Sequence, residues 1–433
     1  MAELCKAAPG GLNLLSALEA ADELSTGAIT SVALVEACLA RIEARDGDLH
    51  AWAHLDREHA LAQARARDSE PRRSALHGVP VGVKDIFDTH DMPTTYGSPI
   101  YAKHQPSNDS VIVALMRRAG LVILGKCATT EFASPVPIGV RNPHDLTRTP
   151  GVSSSGSAAA VADYMVPLAI GSQTGGSTIL PAAFCGITGY KASLTGLDRG
   201  NIRQLRPTLD TIGLLARSVE DIAGLHAVLC GRTDPLPQTE LRRLRIGVCR
   251  THNWAQAQAE TVQALESATQ ALVAAGADMR DAALPNVFDG VEETFGVIST
   301  VESSRALAQE ARDHRDKLNF WIRDSLAASA QHSPARFEQA QRHAIECQRA
   351  LCTVFAQCDV ILTPSTAGEA PADLVSVTNS VFNRIWTLMH VPCLTIPAYK
   401  GPNGMPVGVQ VVGPVGHDRE TMSAARAIAA VLM

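Results

Sequence analysis

Several routes to function are closed to this chain by what it lacks. It has no run of 18 apolar residues, so a membrane-spanning helix is not expected. It has no excess of positive charge: 38 Lys and Arg against 44 Asp and Glu leave a net charge of −6, and charge therefore points to no nucleic-acid partner. It has no zinc-like cysteine pairs. The ten cysteines are scattered, and Cys347, Cys352 and Cys358, with four and then five residues between them, read as packing residues on a helix and its exit. Scattered cysteines fit reduced thiols in a cytoplasm. The opening Met1-Ala2-Glu3-Leu4-Cys5 lacks the basic-then-apolar order of a secretory signal, and none is expected. There is no G-x-S-x-G elbow on which to hang an α/β-hydrolase. There is no H-E-x-x-H either: His50-Ala51-Trp52-Ala53-His54 has alanine where the glutamate would stand, and with His59 it reads as a solvated helix face. No metal and no cofactor are expected.

What remains is a chain built for a globular core, 46% hydrophobic and 19% charged over 433 residues. Its densest run of small residues spans 151–193. A serine cluster at Ser153-Ser154-Ser155 is followed by an apolar segment and then by Gly175-Gly176-Ser177. Residues this small let backbone approach backbone, or a substrate, closely. Two serine-bearing turns joined by one apolar segment point to two hydroxyls meeting at one place. A serine hydroxyl is a weak nucleophile and needs a base. None of the 14 histidines falls inside this stretch. Upstream, however, Val81 and Val83 alternate with Gly82 and Lys84 after a Gly-Pro break, a strand-like pattern. A strand this apolar carries Lys84 inward or across a sheet edge, and burial there disfavours the ammonium and leaves an amine able to act as base. Asp85 projects to the opposite face.

The remaining pattern is alternating α/β. Helices are expected over 12–24, 32–45 and 53–68, as an N-terminal layer (1–70) that could serve as a homodimer surface. A helix at Val111–Ala119 followed by a strand at Leu121–Leu124 indicates βαβ units and a largely parallel sheet. A core spans 71–230, and a C-terminal part (231–433) completes the sheet. That part holds a linker at 234–242, strands at Ile246–Cys249, 359–363, 393–397 and 407–412, and helices over 258–275, most of 300–356 and 419–432. All of it is read as one domain over 1–433.

The 151–193 stretch closely resembles the amidase signature family. Arg141-Asn142-Pro143, Leu209-Asp210-Thr211-Ile212-Gly213, Ala216–Asp221, Asp359–Pro364 and Pro406–Gln410 match further landmarks in order, so the resemblance covers nearly the whole chain. It implies an α/β fold with a central mixed, twisted sheet flanked by helices. It also implies a Ser-Ser-Lys triad: Lys84 as base, Ser153 after a cis peptide bond, and Ser177 as nucleophile. Ser153 lies 69 positions after Lys84 and 24 before Ser177, the family spacing. The backbone N–H groups of Thr174, Gly175, Gly176 and Ser177 would form the oxyanion hole. Ser154 and Ser172 would support the triad, with Ser172 hydrogen-bonding Ser153. The chain departs from the family at Gln173, in place of a common aspartate, and at Val152, in place of a glycine.

For the substrate, members that grip a carboxylate can do so with an arginine three residues after the nucleophile. Leu180 stands there in this chain. Leu180, Ile179, Phe382, Asn383 and Trp386 are therefore read as pocket walls, with core packing at helical spacing the rival reading for Phe382 and Trp386. The expected activity is cleavage of a small, largely uncharged amide, carbamate or urea-like compound through a serine acyl-enzyme. The alternatives are the glutaminase A subunit of a tRNA-dependent amidotransferase and an inactive scaffold of the same fold.

Overall fold

A computed structural model describes residues 11–377 and 379–433. The start of the chain, where the signal-peptide expectation falls, lies outside the described residues. Eleven strands form one sheet: β1 (Trp52–Leu55), β2 (Pro80–Lys84), β3 (Val122–Cys127), β4 (Leu168–Gln173), β5 (Thr188–Lys191), β6 (Thr211–Ala216), β7 (Arg245–Val248), β8 (Asp278–Asp281), β9 (Val360–Pro364), β10 (Cys393–Lys400) and β11 (Pro406–Val412). Their order across the sheet is β1-β3-β2-β4-β6-β5-β10-β11-β9-β7-β8. Most central strands are buried on both faces, in keeping with their continuous Val, Ile and Leu runs.

The sheet is mixed. The expected βαβ arrangement holds for β3-β2-β4 and for β9-β7-β8, which are parallel. The middle of the sheet, from β4 through β6, β5, β10 and β11 to β9, is antiparallel. A largely parallel sheet is thus too strong a reading. The short connection between β10 and β11, residues 401–405, lets those neighbouring strands run back on one another, which a parallel pair with so short a link cannot do.

The N-terminal layer also differs in two places. Of the helix expected over 12–24, residues Leu12–Leu14 form one tight turn and the helix itself runs Ala17–Thr26, capped by Ser16. Residues 52–55 form the edge strand β1 and the helix begins only at Arg57, capped by Asp56, whose side chain accepts from His59 N–H. His50 caps the preceding helix in the left-handed region, at φ 57°. The His50–His54 segment is therefore not a helix face. Helices Ser31–Leu49 and Arg57–Ser69 pack on this end of the sheet, and Ser155–Ala162 packs against β4 and β2. Residues 291–355 are mostly helical, close to expectation.

Beneath the β2 end lies a second lysine. Lys126 Nζ sits 3.1 Å from Asp85 Oδ1, both side chains being buried, and also donates to Phe87 O and Thr94 Oγ1. Burial pushes the Lys126 ammonium below its ordinary pKa, and Asp85 opposes that shift. Asp85 turns away from Lys84, as the strand alternation predicts. Removing one partner of a buried pair strands the other charge. Asp85→Ala is therefore expected to destabilise the protein by about 3–5 kcal/mol in urea unfolding; a loss below about 1 kcal/mol would mean that the backbone and hydroxyl acceptors alone suffice for Lys126.

Candidate active site

Strands β2 and β4 pair in parallel, with Val83 opposite Ile170, so their carboxyl ends finish on the same side. That register brings Lys84, the last residue of β2, beside Ser172 near the end of β4. Lys84 is fully buried. Its Nζ donates to Ser153 Oγ at 2.5 Å, Ser172 Oγ at 2.8 Å and Ser154 Oγ at 3.1 Å. An ammonium has three hydrogens, and three hydroxyls receive them. Burial lowers the Lys84 pKa from 10.5 to about 7, against the opposing pull of the Asp210 carboxylate. The amine is therefore poised to exchange a proton near neutral pH.

Ser153 reaches Lys84 by a different backbone device from the expected one. No cis peptide bond occurs among the described residues. The turn is made instead by Ser153 itself, in the left-handed region at φ 64°. A non-glycine residue held there costs on the order of 1–3 kcal/mol and persists only where its surroundings fix it. Here the following helix, Ser155–Ala162, lies wholly buried against the sheet. Ser154 Oγ donates to Ser172 O, and a Cβ on Gly171 would lie 2.7 Å from that Oγ, so β4 must carry glycine there. Ser172 bonds Lys84, not Ser153 as expected.

After β4 the chain turns through Thr174-Gly175-Gly176-Ser177. The N–H groups of these four residues have no protein acceptor among the described residues. Consecutive free N–H groups on a turn form an anion-binding concavity. Gln173 holds the turn from behind. Its Oε1 accepts from Thr178 N–H and Ile179 N–H, capping the next helix, while its Nε2 donates to Thr387 Oγ1. A neutral amide thus satisfies two N–H groups that a carboxylate could also satisfy. Asp210 ties the turn to its neighbour: Thr174 Oγ1 donates to Asp210 Oδ1 at 2.5 Å, and Leu205 N–H and Arg206 N–H donate to Oδ2. β6 runs antiparallel to β4, so the residues leading into β6 arrive at the end where β4 finishes.

Ser177 is half-buried and lines a cavity of about 260 Å³. Its hydroxyl has no hydrogen-bond partner among the described residues, so no bond joins it to Ser153. Such links are often long without substrate. The cavity wall corrects most of the expected pocket. Leu180 and Val152 line it, but Ile179, Phe382 and Trp386 are buried in the core, and Asn383 bonds Ser365 O and Gln410. The reason is helical phase. In Val381–Leu388, residues 382, 385 and 386 face inward, while Ser380 and Arg384, four apart, face the cavity. Asn383 stands behind the turn instead: a Cβ on Gly176 would lie 3.2 Å from its Cβ and 2.7 Å from the Ser380 Cβ.

The sequence reading missed the opposite wall. Glu292, Phe295, Gly296, Ser299 and Thr300 of helix Val291–Ala306 line the cavity, with Trp321 and Arg206. Their spacing of three and four was a legible signal for one helix face. Arg384 Nη1 bonds Glu292 Oε2 at 3.2 Å. The wall therefore carries charges of both signs, which the expectation of a largely uncharged substrate did not anticipate.

A family model described as Amidase matches residues 33–422. The chain belongs to the amidase family. Members of the curated set similar to this amidase are the glutamyl-tRNA(Gln) amidotransferase subunits A of Streptomyces coelicolor, 31% identical over 97% of this chain and 96% of that one, and of an Anaeromyxobacter species, 33% identical over 98% and 96%. The first alignment runs over 487 positions, so that relative has segments this 433-residue chain lacks. A solved amidase superposes with a TM-score of 0.88 at 29% identity, covering 97% of this chain and all of its own. A fatty acid amide hydrolase superposes at 0.89 with 20% identity, a likeness of fold alone. As an amidase-family member, the protein is a hydrolase of amide carbon–nitrogen bonds. No helix among the described residues is long and apolar enough to cross a membrane. The nine described cysteines are free thiols, with Cys352 exposed and Cys347 and Cys358 buried.

Proposed function

We propose that this chain hydrolyses a small amide through an acyl-enzyme on Ser177. The observation that carries the reading is the fully buried Lys84, with a pKa lowered to about 7 and bonded to Ser153, one turn away from four free N–H groups. Ser177 Oγ attacks the carbonyl carbon. Ser153 takes the Ser177 proton while passing its own to neutral Lys84. The carbonyl oxygen gains negative charge among the N–H groups of Thr174, Gly175, Gly176 and Ser177, where each such donor is typically worth about 10²–10³ in rate. The proton returns through Ser153 to the leaving nitrogen, the C–N bond breaks, and amine departs. Water then attacks the ester, loses a proton along the same path and frees the acid and Ser177. All of this is proposed to occur in the cytoplasm and within one domain.

A second reading is favoured by the curated relatives. Their names describe the A subunit of an amidotransferase, and the likeness spans nearly the whole chain. On that reading glutamine is the amide and partner subunits assemble on this chain. The test is ammonia or amine release from a panel of simple amides, carbamates and glutamine by the isolated chain. Release from simple amides is expected. Release from glutamine alone would establish the second reading. An inert chain whose Ser177 also resists a serine-reactive phosphonate would overturn both and leave a scaffold.

A further inference from the structure

Arg206 is buried to 4% exposure in the wall of the Ser177 cavity. An arginine offers five N–H donors in a rigid fork. Only one is spent on a side chain here: Nε donates to Ser299 Oγ at 2.6 Å. The terminal nitrogens have no hydrogen bond and no ion pair among the described residues, and they are not wholly sealed from solvent. Asp210 and Glu302 are the carboxylates near enough for their charge to reach Arg206, but both are engaged elsewhere. Asp210 accepts from Thr174, Leu205 and Arg206 backbone or hydroxyl donors, and Glu302 accepts from Thr208 N–H and Thr208 Oγ1. Of the other charged groups on the wall, Arg384 and Glu292 pair with one another. A buried guanidinium with an open fork is costly unless something fills the fork. Ser299 adds to the case: its Oγ accepts from Arg206, so its own hydrogen is free to point into the cavity beside the fork.

We propose that Arg206, with Ser299, is the anchor for a carboxylate on the substrate, so that the amide cleaved at Ser177 belongs to a small molecule carrying a carboxylate at its other end. Leu180 vacates the place where an arginine could do this, and Arg206 supplies the charge from the segment leading into β6. The planar fork matches a carboxylate with two parallel N–H···O bonds. The proposal rests on the reading of Ser177 as the attacking residue, but its anchor can be tested apart from turnover.

The experiment measures binding by calorimetry to Ser177→Ala, with glutaramate (an amide with a terminal carboxylate) and pentanamide (its neutral counterpart) as probes. Glutaramate is expected to bind at least tenfold more tightly. Adding Arg206→Met should remove that preference and leave pentanamide binding within about threefold, while Arg206→Lys should restore part of it. In the chain with Ser177 intact, Arg206→Met should raise KM for glutaramate far more than it lowers kcat. Equal binding of the two probes to Ser177→Ala overturns the proposal without recourse to any Arg206 variant. A preference that survives Arg206→Met overturns it as well. Turnover by Ser177→Ala would instead show that the nucleophile is misassigned, a separate failure visible as ammonia release.

Discussion

Ser177→Ala is expected to lower the rate of amide hydrolysis by about 10⁶, close to the loss seen when a serine hydrolase is stripped of its attacking oxygen. Ser177 is the serine carried by the turn of four free N–H groups at the cavity. The three serines around Lys84 are buried, while Ser177 is half-buried at the cavity and its hydroxyl has no competing hydrogen bond. Deleting one oxygen at that position leaves the fold untouched, so the melting temperature should stay within about a degree or two. The readout is ammonia release under single-turnover conditions, with phosphonate labelling as a second measure. Activity within a hundredfold of the parent would place the attacking atom elsewhere. The Thr174–Ser177 turn would then be left as an anion cradle without a nucleophile.

The second large effect concerns Lys84. Its pKa is lowered to about 7 by burial, so the amine is mostly neutral above that pH and mostly an ammonium below it. Only the neutral form can accept the Ser153 proton. The rate at low substrate should therefore climb about tenfold per pH unit up to about 7 and level off above it. Lys84→Met keeps the apolar stem, removes the base and should cost about 10²–10⁴ in rate. It should also abolish the rise with pH, which a merely structural loss would not do. A profile that falls through pH 7, or one unchanged in Lys84→Met, would rule out this lysine as the base. Removing Nζ also releases three buried hydroxyls from their donor, so a measurable loss of stability should accompany the kinetic one.

How much of this was visible in the residues depended on whether local pattern or tertiary register decided the outcome. Lys84 on a buried strand was legible because Val81, Val83 and the Gly-Pro break fix a strand and its depth. The meeting of Lys84 with Ser153 was legible only through the family spacing, since nothing local brings residues 69 positions apart together. Ser172 was identified as a supporting residue but given the wrong partner: the parallel pairing of β2 with β4 sets its distance to Lys84, and no single strand encodes that. The wall formed by Phe382 and Trp386 failed on helical phase, because apolar bulk suits a core as well as a pocket. Arg206 and Asp210 escaped attention as site residues because their segment has no periodicity. Arg206 reaches the cavity, and Asp210 the Thr174 hydroxyl, only because β6 runs back along β4. At residues 52–55, edge pairing with β3 overrode an alanine- and arginine-rich composition that reads as helix.

The triangle of serines around Lys84 also keeps a tally of hydrogens. With a proton bound, the amine supplies one hydrogen to each of three oxygens. Once the proton leaves, two hydrogens remain for three oxygens, and one hydroxyl must swing round to point at the nitrogen. Ser154 has already committed its hydrogen to Ser172 O. The swing thus falls to Ser153 or to the Ser172 side chain, and only Ser153 sits on the turn leading toward the cavity. Loss of a proton at the lysine is in this way a rotation at a serine. The state of charge is converted into the direction of one O–H bond, and the direction that hydrogen takes sets whether the oxygen's lone pairs are free to receive another.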